Sequence, residues 1–265
     1  MIVQNTTILW NQPAAPGYYR LGLTCDRGFD TAKPGQFIML RIGDRVNPLL
    51  RRPFSLLGLI WDKGRVTGIE ILYKVVGKGT RQLSVCQTGE RLSVIGPLGN
   101  AFLVPDTCRH LILVAGGVGV PPIRFLAQSL LETAGGLDRC VVFVGGRTKD
   151  DLVCIGEFDL PGFLLDISTD DGSKGHHGVV TQSLERVLAQ GPADLVCACG
   201  PLPMLKAVAT IAQTHGVACQ VSIEAMMACG MGACLGCAVK VKGDDARYRH
   251  VCMDGPVFDA HRLEW

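Results

Sequence analysis

The chain has 265 residues, a near-balanced charge of 26 Lys+Arg against 24 Asp+Glu, and 48% hydrophobic residues with only 6% aromatics. That length accommodates two domains with their own cores, and a net charge of +2 argues against a nucleic-acid or anionic-membrane partner. No apolar run reaches the ~18 residues of a membrane-spanning helix, and Met1-Ile2-Val3-Gln4-Asn5 lacks the basic and apolar regions of a signal peptide, so a cytoplasmic location with reduced thiols is expected.

Residues 1–104 carry short apolar or alternating runs at Tyr18–Thr24, Gln36–Ile42, Phe54–Leu59, Gly68–Val76 and Arg91–Ile95, punctuated by Gly, Pro and Asp. This punctuation predicts a small antiparallel β-barrel domain. Arg51-Arg52-Pro53-Phe54-Ser55 falls between two of its strands. An Arg ahead of an aromatic–Ser turn can place a guanidinium on a pyrophosphate, with a hydroxyl and backbone N–H groups at a flavin edge. The alternative is a surface Arg and a strand-initiating Pro. Arg51 is expected to face solvent. Leu72-Tyr73-Lys74 ends a strand, where Tyr73 can lie against a flavin or its ribityl chain. Gly77-Lys78-Gly79-Thr80 then opens a helix whose free N–H groups suit a phosphate. Gly96-Pro97-Leu98-Gly99-Asn100 predicts a turn.

From residue 105 to 224 the pattern changes to alternating strands and helices. Strands are predicted at His110–Ala115, Cys140–Val144, Gly162–Ile167, Asp194–Cys199 and Cys219–Ile223, with helices near Pro122–Glu132, within Gly178–Leu188 and over Met204–Thr214. Such alternation predicts a parallel sheet covered by helices on both faces, the α/β architecture of nucleotide-binding domains. Ala115-Gly116-Gly117-Val118-Gly119-Val120-Pro121-Pro122 links the first strand to its helix. Gly116, Gly117 and Gly119 would let the backbone approach a dinucleotide at a helix N-terminus, with Pro121 in the first turn. Cys199-Gly200-Pro201 ends a later strand at the ligand-binding carboxyl edge. The Cys199 thiol there either packs on a nicotinamide ring or is a buried Cys before a turn. Asp170-Asp171-Gly172 follows another strand and is either near a cofactor ribose or a solvated loop. His176-His177 is expected to be an exposed turn.

The last stretch, 225–265, contains Met227-Ala228-Cys229-Gly230-Met231-Gly232-Ala233-Cys234-Leu235-Gly236-Cys237, with Cys252 further on. A C-x4-C-x2-C…C spacing matches the plant-type [2Fe–2S] pattern, in which a tight loop supplies three thiolates and a distant segment the fourth. Small residues let the backbone wrap the inorganic sulfides and aim N–H groups at them. The competing readings are a zinc knuckle and buried free thiols, but no second C-x2-C or His pair, the usual zinc arrangement, follows Cys237. Cys25, Cys86, Cys108, Cys140, Cys154, Cys197 and Cys219 are expected to be small hydrophobes. Met226, Met227, Met231 and Leu235 surround the ligands; adaptable apolar side chains suit a protein interface, and two of the four are expected to pack inward instead. There is no Ser-His-Asp or H-E-x-x-H arrangement.

Taken in order, Arg52–Ser55, Gly79-Thr80, Gly116–Pro122, Cys199–Pro201 and the cysteine run resemble the ferredoxin–NADP reductase superfamily with an attached iron–sulfur segment. The cysteine run and Cys252-Met253-Asp254-Gly255-Pro256-Val257-Phe258 more narrowly resemble the electron-transfer subunits of two-subunit, NAD-linked dihydroorotate dehydrogenases. The resemblance covers essentially the whole chain. It implies an FAD site at Arg52, Pro53, Phe54, Ser55, Leu72, Tyr73, Lys74, Gly79 and Thr80. It also implies an NAD site at Gly116, Gly117, Gly119, Pro121, Gly200 and Pro201, with Cys199 at the nicotinamide. Cys229, Cys234, Cys237 and Cys252 would hold the [2Fe–2S] cluster. Electrons would pass from FMN in a separate catalytic subunit through the cluster and FAD to NAD, in pyrimidine biosynthesis, with two copies of each chain. Phe54 stands where that family commonly has a smaller aliphatic residue, which changes packing near the flavin. Two rivals remain: the small subunit of an electron-bifurcating transhydrogenase or sulfide dehydrogenase, typified by Asp at the first ligand position where this chain has Cys229, and a non-catalytic redox-sensing module.

Overall fold

The structure is a computed structural model that describes residues 1–25, 28–43, 47–132, 136–243 and 247–265, with the side chain of residue 132 left out. Its first half is a closed barrel of six antiparallel strands in the order β1-β2-β5-β4-β3-β6. The strands are β1 (Ile2–Ala15), β2 (Tyr18–Thr24), β3 (Phe37–Arg41), β4 (Arg52–Asp62), β5 (Arg65–Lys74) and β6 (Arg91–Leu98), with helix α1 (Lys78–Ser84) between β5 and β6. Closure pairs every strand on both sides and leaves no edge to aggregate. Alternate inward residues, such as Leu21 and Leu23 of β2 and Ile69 and Ile71 of β5, fill the interior and are fully buried.

The second half is a seven-stranded sheet in the order β10-β9-β8-β7-β11-β12-β15. Its members are β7 (His110–Gly116), β8 (Arg139–Gly146), β9 (Phe163–Thr169), β10 (His176–His177), β11 (Leu195–Cys199), β12 (Ala218–Ser222) and β15 (Val257–Asp259). All pairings are parallel except β12 with β15. Helices α2 (Val120–Glu132), α3 (Val180–Gln190) and α4 (Leu202–Thr214) cover the two faces. In β7, Leu111, Leu113 and Ala115 face the α2 side, whereas Ile112 and Val114 face α3 and α4. Burial on both faces explains why the strand is a continuous apolar run rather than an alternating one. Helix α2 is shared: Ile123 and Leu126 pack on the sheet, while Phe125 enters the barrel core.

One expectation changes. His176-His177 is not an exposed turn but an edge strand paired with Ser168 and Thr169. The cysteine-rich segment is made of β13 (Ala238–Lys240), β14 (Tyr248–His250) and the one-turn α5 (Val251–Asp254). It returns through β15 to extend the sheet, and Val241, Val251, Cys252 and Leu263 share the core beneath α3 and α4. The barrel also grips it. Asn100 donates from its backbone to the Gly255 carbonyl at 2.6 Å and from Nδ2 to the Asp254 carbonyl at 2.8 Å, so the Gly96–Asn100 stretch ends β6 and then seats this segment. Among the described residues no helix is long and apolar enough to cross a membrane.

Candidate redox-cofactor site

The sheet order reverses direction between β7 and β11, and ligands of such sheets bind outside the carboxyl ends of the strands at that switch point. A cavity of about 540 Å³ opens there, lined by Gly116, Gly117 and Val118 after β7, Gly145–Arg147 after β8, Asp170 after β9, and the starts of α3 and α4, including Pro201. The glycines do more than admit a ligand. A Cβ at Gly119 would collide with the Cys199 carbonyl, and one at Gly200 would lie 3.1 Å from Gly116 Cα, so both let the ends of β7 and β11 touch. Gly117, at φ +53° with open space beside it, lines the cavity with bare backbone.

A second cavity of about 380 Å³ lies between the barrel and the sheet, lined by Arg52, Pro53, Phe54, Ser55, Leu72, Tyr73, Lys74, Thr80, Val118 and Pro121, and closed by Ser222–Ala225, Met227 and Pro256. The Tyr73 ring stacks on Tyr19 at 5.6 Å and meets Phe54 edge-on at 5.9 Å. Its hydroxyl donates to Asn11 Oδ1 at 2.9 Å, and burial pushes that phenol up. The aromatic wall is therefore fixed by packing. Arg52 donates to the Leu50 and Arg51 carbonyls at 2.7 and 3.2 Å and borders Gly79 in the first turn of α1. Thr80 Oγ1 accepts from the Val76 and Gly77 N–H groups at 3.0 and 3.1 Å, which leaves the next N–H groups of the turn for another acceptor. The Ser55 hydroxyl has no hydrogen-bond partner among the described residues. A planar apolar slot with a guanidinium, helix-start N–H groups and a free hydroxyl at its polar end fits a flavin dinucleotide.

Lys74 and Val118 are the two residues common to both linings. Lys74 Nζ donates to Asp151 Oδ1 at 2.7 Å and to the Tyr18 hydroxyl at 3.0 Å, and Tyr18 donates to the same Asp151 oxygen at 2.7 Å. Burial alone would raise the Asp151 pKa, but the bonds from Lys74 and Tyr18 outweigh it and bring the carboxyl down to about 2. Nearby, Glu157 accepts from Arg20 of the barrel at 2.6 Å and pairs with Arg124 of α2 at 2.7 Å, while Arg20 also forks onto Glu70 at 2.6 and 2.8 Å. Through Glu157, Arg20 of the barrel is joined to Arg124 of α2, which ties the two halves together. These ion pairs join residues far apart in sequence, so no local motif announces them. Glu224, also unsignalled by any motif, lines the flavin-shaped cavity; the protein packed round its carboxyl raises its pKa although the side chain stays open to the cavity.

The four sequence-selected cysteines come together at the end of the molecule next to that cavity. Among the described residues no three His, Cys, Asp or Glu side chains converge as ligands of a single metal ion. The thiols fall into two pairs instead, Cys229 beside Cys234 and Cys237 beside Cys252. Two pairs suit a two-iron cluster held by four thiolates. Backbone N–H groups of Met231 and Cys234 point at Cys229 Sγ, both at 3.4 Å, and that of Gly232 at Cys252 Sγ at 3.2 Å. Burial would raise the Cys229 pKa, yet these donors draw it down to about 7; Cys252 is pushed up to about 11 by burial and by Cys237. Gly230 and Gly232 hold φ of +72° and +81°, with Gly230 pressed on Met39 of the barrel. The donor set thus fits a [2Fe–2S] cluster.

Other expectations are corrected. The Cys199 thiol is buried on the α2 side of the sheet, pushed up by desolvation, and lines neither cavity, as a buried Cys before a turn does. Pro121 lines the flavin-shaped cavity rather than the one expected for NAD. Arg51 does not face solvent: its guanidinium donates to the Ser93 carbonyl at 2.6 Å and hydroxyl at 2.9 Å, and burial lowers its pKa. Of the four apolar residues round the cysteines, only Met227 packs inward; Met226 is 93%, Leu235 58% and Met231 37% exposed.

Residues 224–264 match the iron–sulfur cluster binding domain of dihydroorotate dehydrogenase B, and residues 113–210 the oxidoreductase NAD-binding domain. The chain is 36% identical to the dihydroorotate dehydrogenase B (NAD(+)) electron transfer subunit of Desulforamulus reducens, covering 95% of this chain and 94% of that one. It is 38% identical to the corresponding subunit of Geobacillus thermodenitrificans over 97% and 96% of the two chains. Among solved structures, a chain of the NADH-dependent reduced ferredoxin-NADP oxidoreductase superposes with a TM-score of 0.85 at 30% identity, covering 98% of this chain and 90% of that one.

Proposed function

Because the chain belongs to the family of electron-transfer subunits of NAD(+)-linked dihydroorotate dehydrogenase B, we propose that it carries electrons from the FMN of a separate catalytic subunit to NAD, two copies of each chain assembling. When bound, FAD would exchange a hydride with NAD and the cluster would carry electrons one at a time. The observation that carries this reading is adjacency. One cavity shares Lys74 and Val118 with its neighbour and has Ala225 and Met227 of the cysteine segment among its lining residues. A centre in that cavity therefore borders both the NAD cavity and the cysteine segment.

Arg52 and the first turn of α1 would hold the flavin's pyrophosphate, with Ser55 and Tyr73 along its ring and ribityl chain. Gly116, Gly117, Gly200 and Pro201 would shape the NAD cavity. Lys74, anchored by Asp151, would supply positive charge where the two cofactors meet. Cys229, Cys234, Cys237 and Cys252 would hold the cluster, and exposed Met226, Met231 and Leu235 would form the rim that the catalytic subunit covers. No residue of this chain is assigned to chemistry on dihydroorotate. Cys229 stands at the ligand position where the bifurcating relatives typically carry Asp, which favours the dihydroorotate-linked reading over that rival.

The test is reduction of NAD by dihydroorotate with each subunit alone and then mixed. Activity is expected only in the mixture, with a complex on a sizing column. NAD reduction by the other chain unaided, or the absence of a complex, would refute the relay. FAD and NADH binding with negligible turnover toward any acceptor would instead mark a redox sensor.

A further inference from the structure

We infer that Met39 and Asn100 of the barrel are positioning residues of the relay: they seat the two pairs of cysteines against the strands that carry the flavin contacts. The inference rests on the [2Fe–2S] reading of the four cysteines and begins from the alternation of β3. Ile38 and Leu40 face the barrel interior. Phe37 and Met39 face outward, yet both are buried, because with Ile95 and Leu98 of β6 they join the core that holds Cys237, Val251 and Cys252. The outer face of β3 and β6 is therefore a bed for the cysteine segment. Along its other edge β3 pairs with β4, and its partners there line the flavin-shaped cavity: Ser55 opposite Phe37, Pro53 opposite Met39 and Arg52 opposite Leu40. One hydrogen-bonded ladder thus carries the flavin contacts on one strand and the bed of the cysteines on the next. A close-packed ladder transmits a shift of one to the other.

The two pairs of thiols are seated separately. Beside Cys229 and Cys234, Gly230 turns at φ +72°, and a Cβ there would collide with the Met39 side chain. Met39 is fully buried and unbranched, so its thioether can follow that turn closely. Arg51 fixes the strand beneath it, donating to the Met39 carbonyl at 3.4 Å and to the Ser93 carbonyl of β6 at 2.6 Å. For Cys237 and Cys252 the seat is Asn100. Helix α5, which carries Cys252, ends at Asp254. Asn100 holds two successive carbonyls there, that of Asp254 from Nδ2 at 2.8 Å and that of Gly255 from its backbone N–H at 2.6 Å. Gly99, at φ +75°, brings the end of β6 against Gly255 and Pro256, where a Cβ would not fit. Neither Met39 nor Asn100 lines the flavin-shaped cavity, so each can move the cysteines without altering the flavin's contacts.

The test uses the holoprotein and three readouts: iron release to a chelator, the visible circular dichroism of the cluster, and the rate at which NADH bleaches the cluster's absorption at matched FAD content. Met39→Ala should release iron ~10-fold faster, alter the dichroism and slow the bleaching ~10-fold. Asn100→Ala loses only the Nδ2 bond and should change both rates ~3-fold. Met39→Leu keeps the volume and should restore wild-type behaviour. Ile38→Ala, the neighbour facing the barrel interior, should lower Tm as much as Met39→Ala and leave all three readouts unchanged. Unchanged iron release and bleaching in both Met39→Ala and Asn100→Ala, or equal changes in Ile38→Ala, overturn the positioning role. If Met39→Ala does not fold, Asn100→Ala decides alone. A wild type that holds no iron after anaerobic purification overturns the [2Fe–2S] reading, and this inference with it.

Discussion

The parallel sheet and the cysteine segment share one molecule but are held together by different forces. In the sheet, β7 and β11 bury every residue from Leu111 to Ala115 and from Leu195 to Cys199 between layers of helix. Burial of apolar side chains contributes roughly 25 cal/mol per Å² and needs no ligand. The segment after residue 225 has strands of three residues and a helix of four. Met226, Met231, Leu235 and Met253 point outward. Such short elements cannot persist alone, so their order depends on docking to the sheet and on ligation of the thiols. The wall of the flavin-shaped cavity formed by the sheet is rigid scaffold, whereas its wall at the cysteine segment is built from short elements.

The sharpest way to break this contrast is to remove iron. Stripping it with a chelator under reducing conditions should raise the rate of proteolytic cleavage within residues 228–254 by ~100-fold or more, while the barrel and sheet stay resistant. Uniform loss of resistance along the chain would mean that the two regions are one cooperative unit. On the scaffold side, Arg52→Ala should weaken FAD retention by about 1.5–3 kcal/mol, a ~10–100-fold change in Kd, by deleting a charge-assisted contact. Fluorescence of released flavin measures it. Arg51 is not a neutral control, since its bonds to Ser93 tie the residue before β4 to β6; Arg81, on the solvent side of α1, is.

Acid should act on the scaffold at a defined place. The Asp151 carboxyl sits at about 2 in the folded protein, below the ordinary ~3.9 of an unfolded chain. Its contribution is therefore complete above pH ~4 and is lost as pH falls through ~2, on the order of 2 kcal/mol. Denaturant melts should show a shallower decline over that window in Asp151→Asn. The smallest effect is expected at the junction of barrel and sheet. Glu157→Gln keeps the shape but removes the charge between Arg20 and Arg124, and at 27% side-chain exposure solvent screening limits the loss to about 1 kcal/mol. A small drop in Tm with unchanged FAD content is the expected result.

What could be foreseen from sequence follows the same division. Buried strands were legible because both faces are apolar, and Tyr18–Thr24 has the same bounds in the structure as in the sequence pattern. The four cysteines stood out because three of them lie in one loop at the spacing of a [2Fe–2S] site, and the structure brings the four together in two pairs. β1 was not legible, because polar Gln4 and Thr6 occupy buried positions of the strand and mask the alternation. β15 was missed because three residues give no period, and the Asp151–Lys74–Tyr18 and Glu157 networks because their members meet only after folding. The glycines of Gly116–Gly119 and Gly200 were seen, but part of their work is to let two strand ends touch, which only the tertiary structure reveals.

The claim at the centre of this account is that electrons reach the catalytic subunit through the cysteine segment and NAD through the scaffold. Cys234→Ser tests it most directly, with Cys234 exposed at the loop and outside the shared core. NADH oxidation with ferricyanide by the flavin-loaded variant, and dihydroorotate-dependent NAD reduction by the variant mixed with its catalytic subunit, should be measured side by side. The account predicts that the first persists near the wild-type rate and the second is abolished together with the cluster's visible absorption. Survival of dihydroorotate-dependent NAD reduction after loss of the cluster would contradict it.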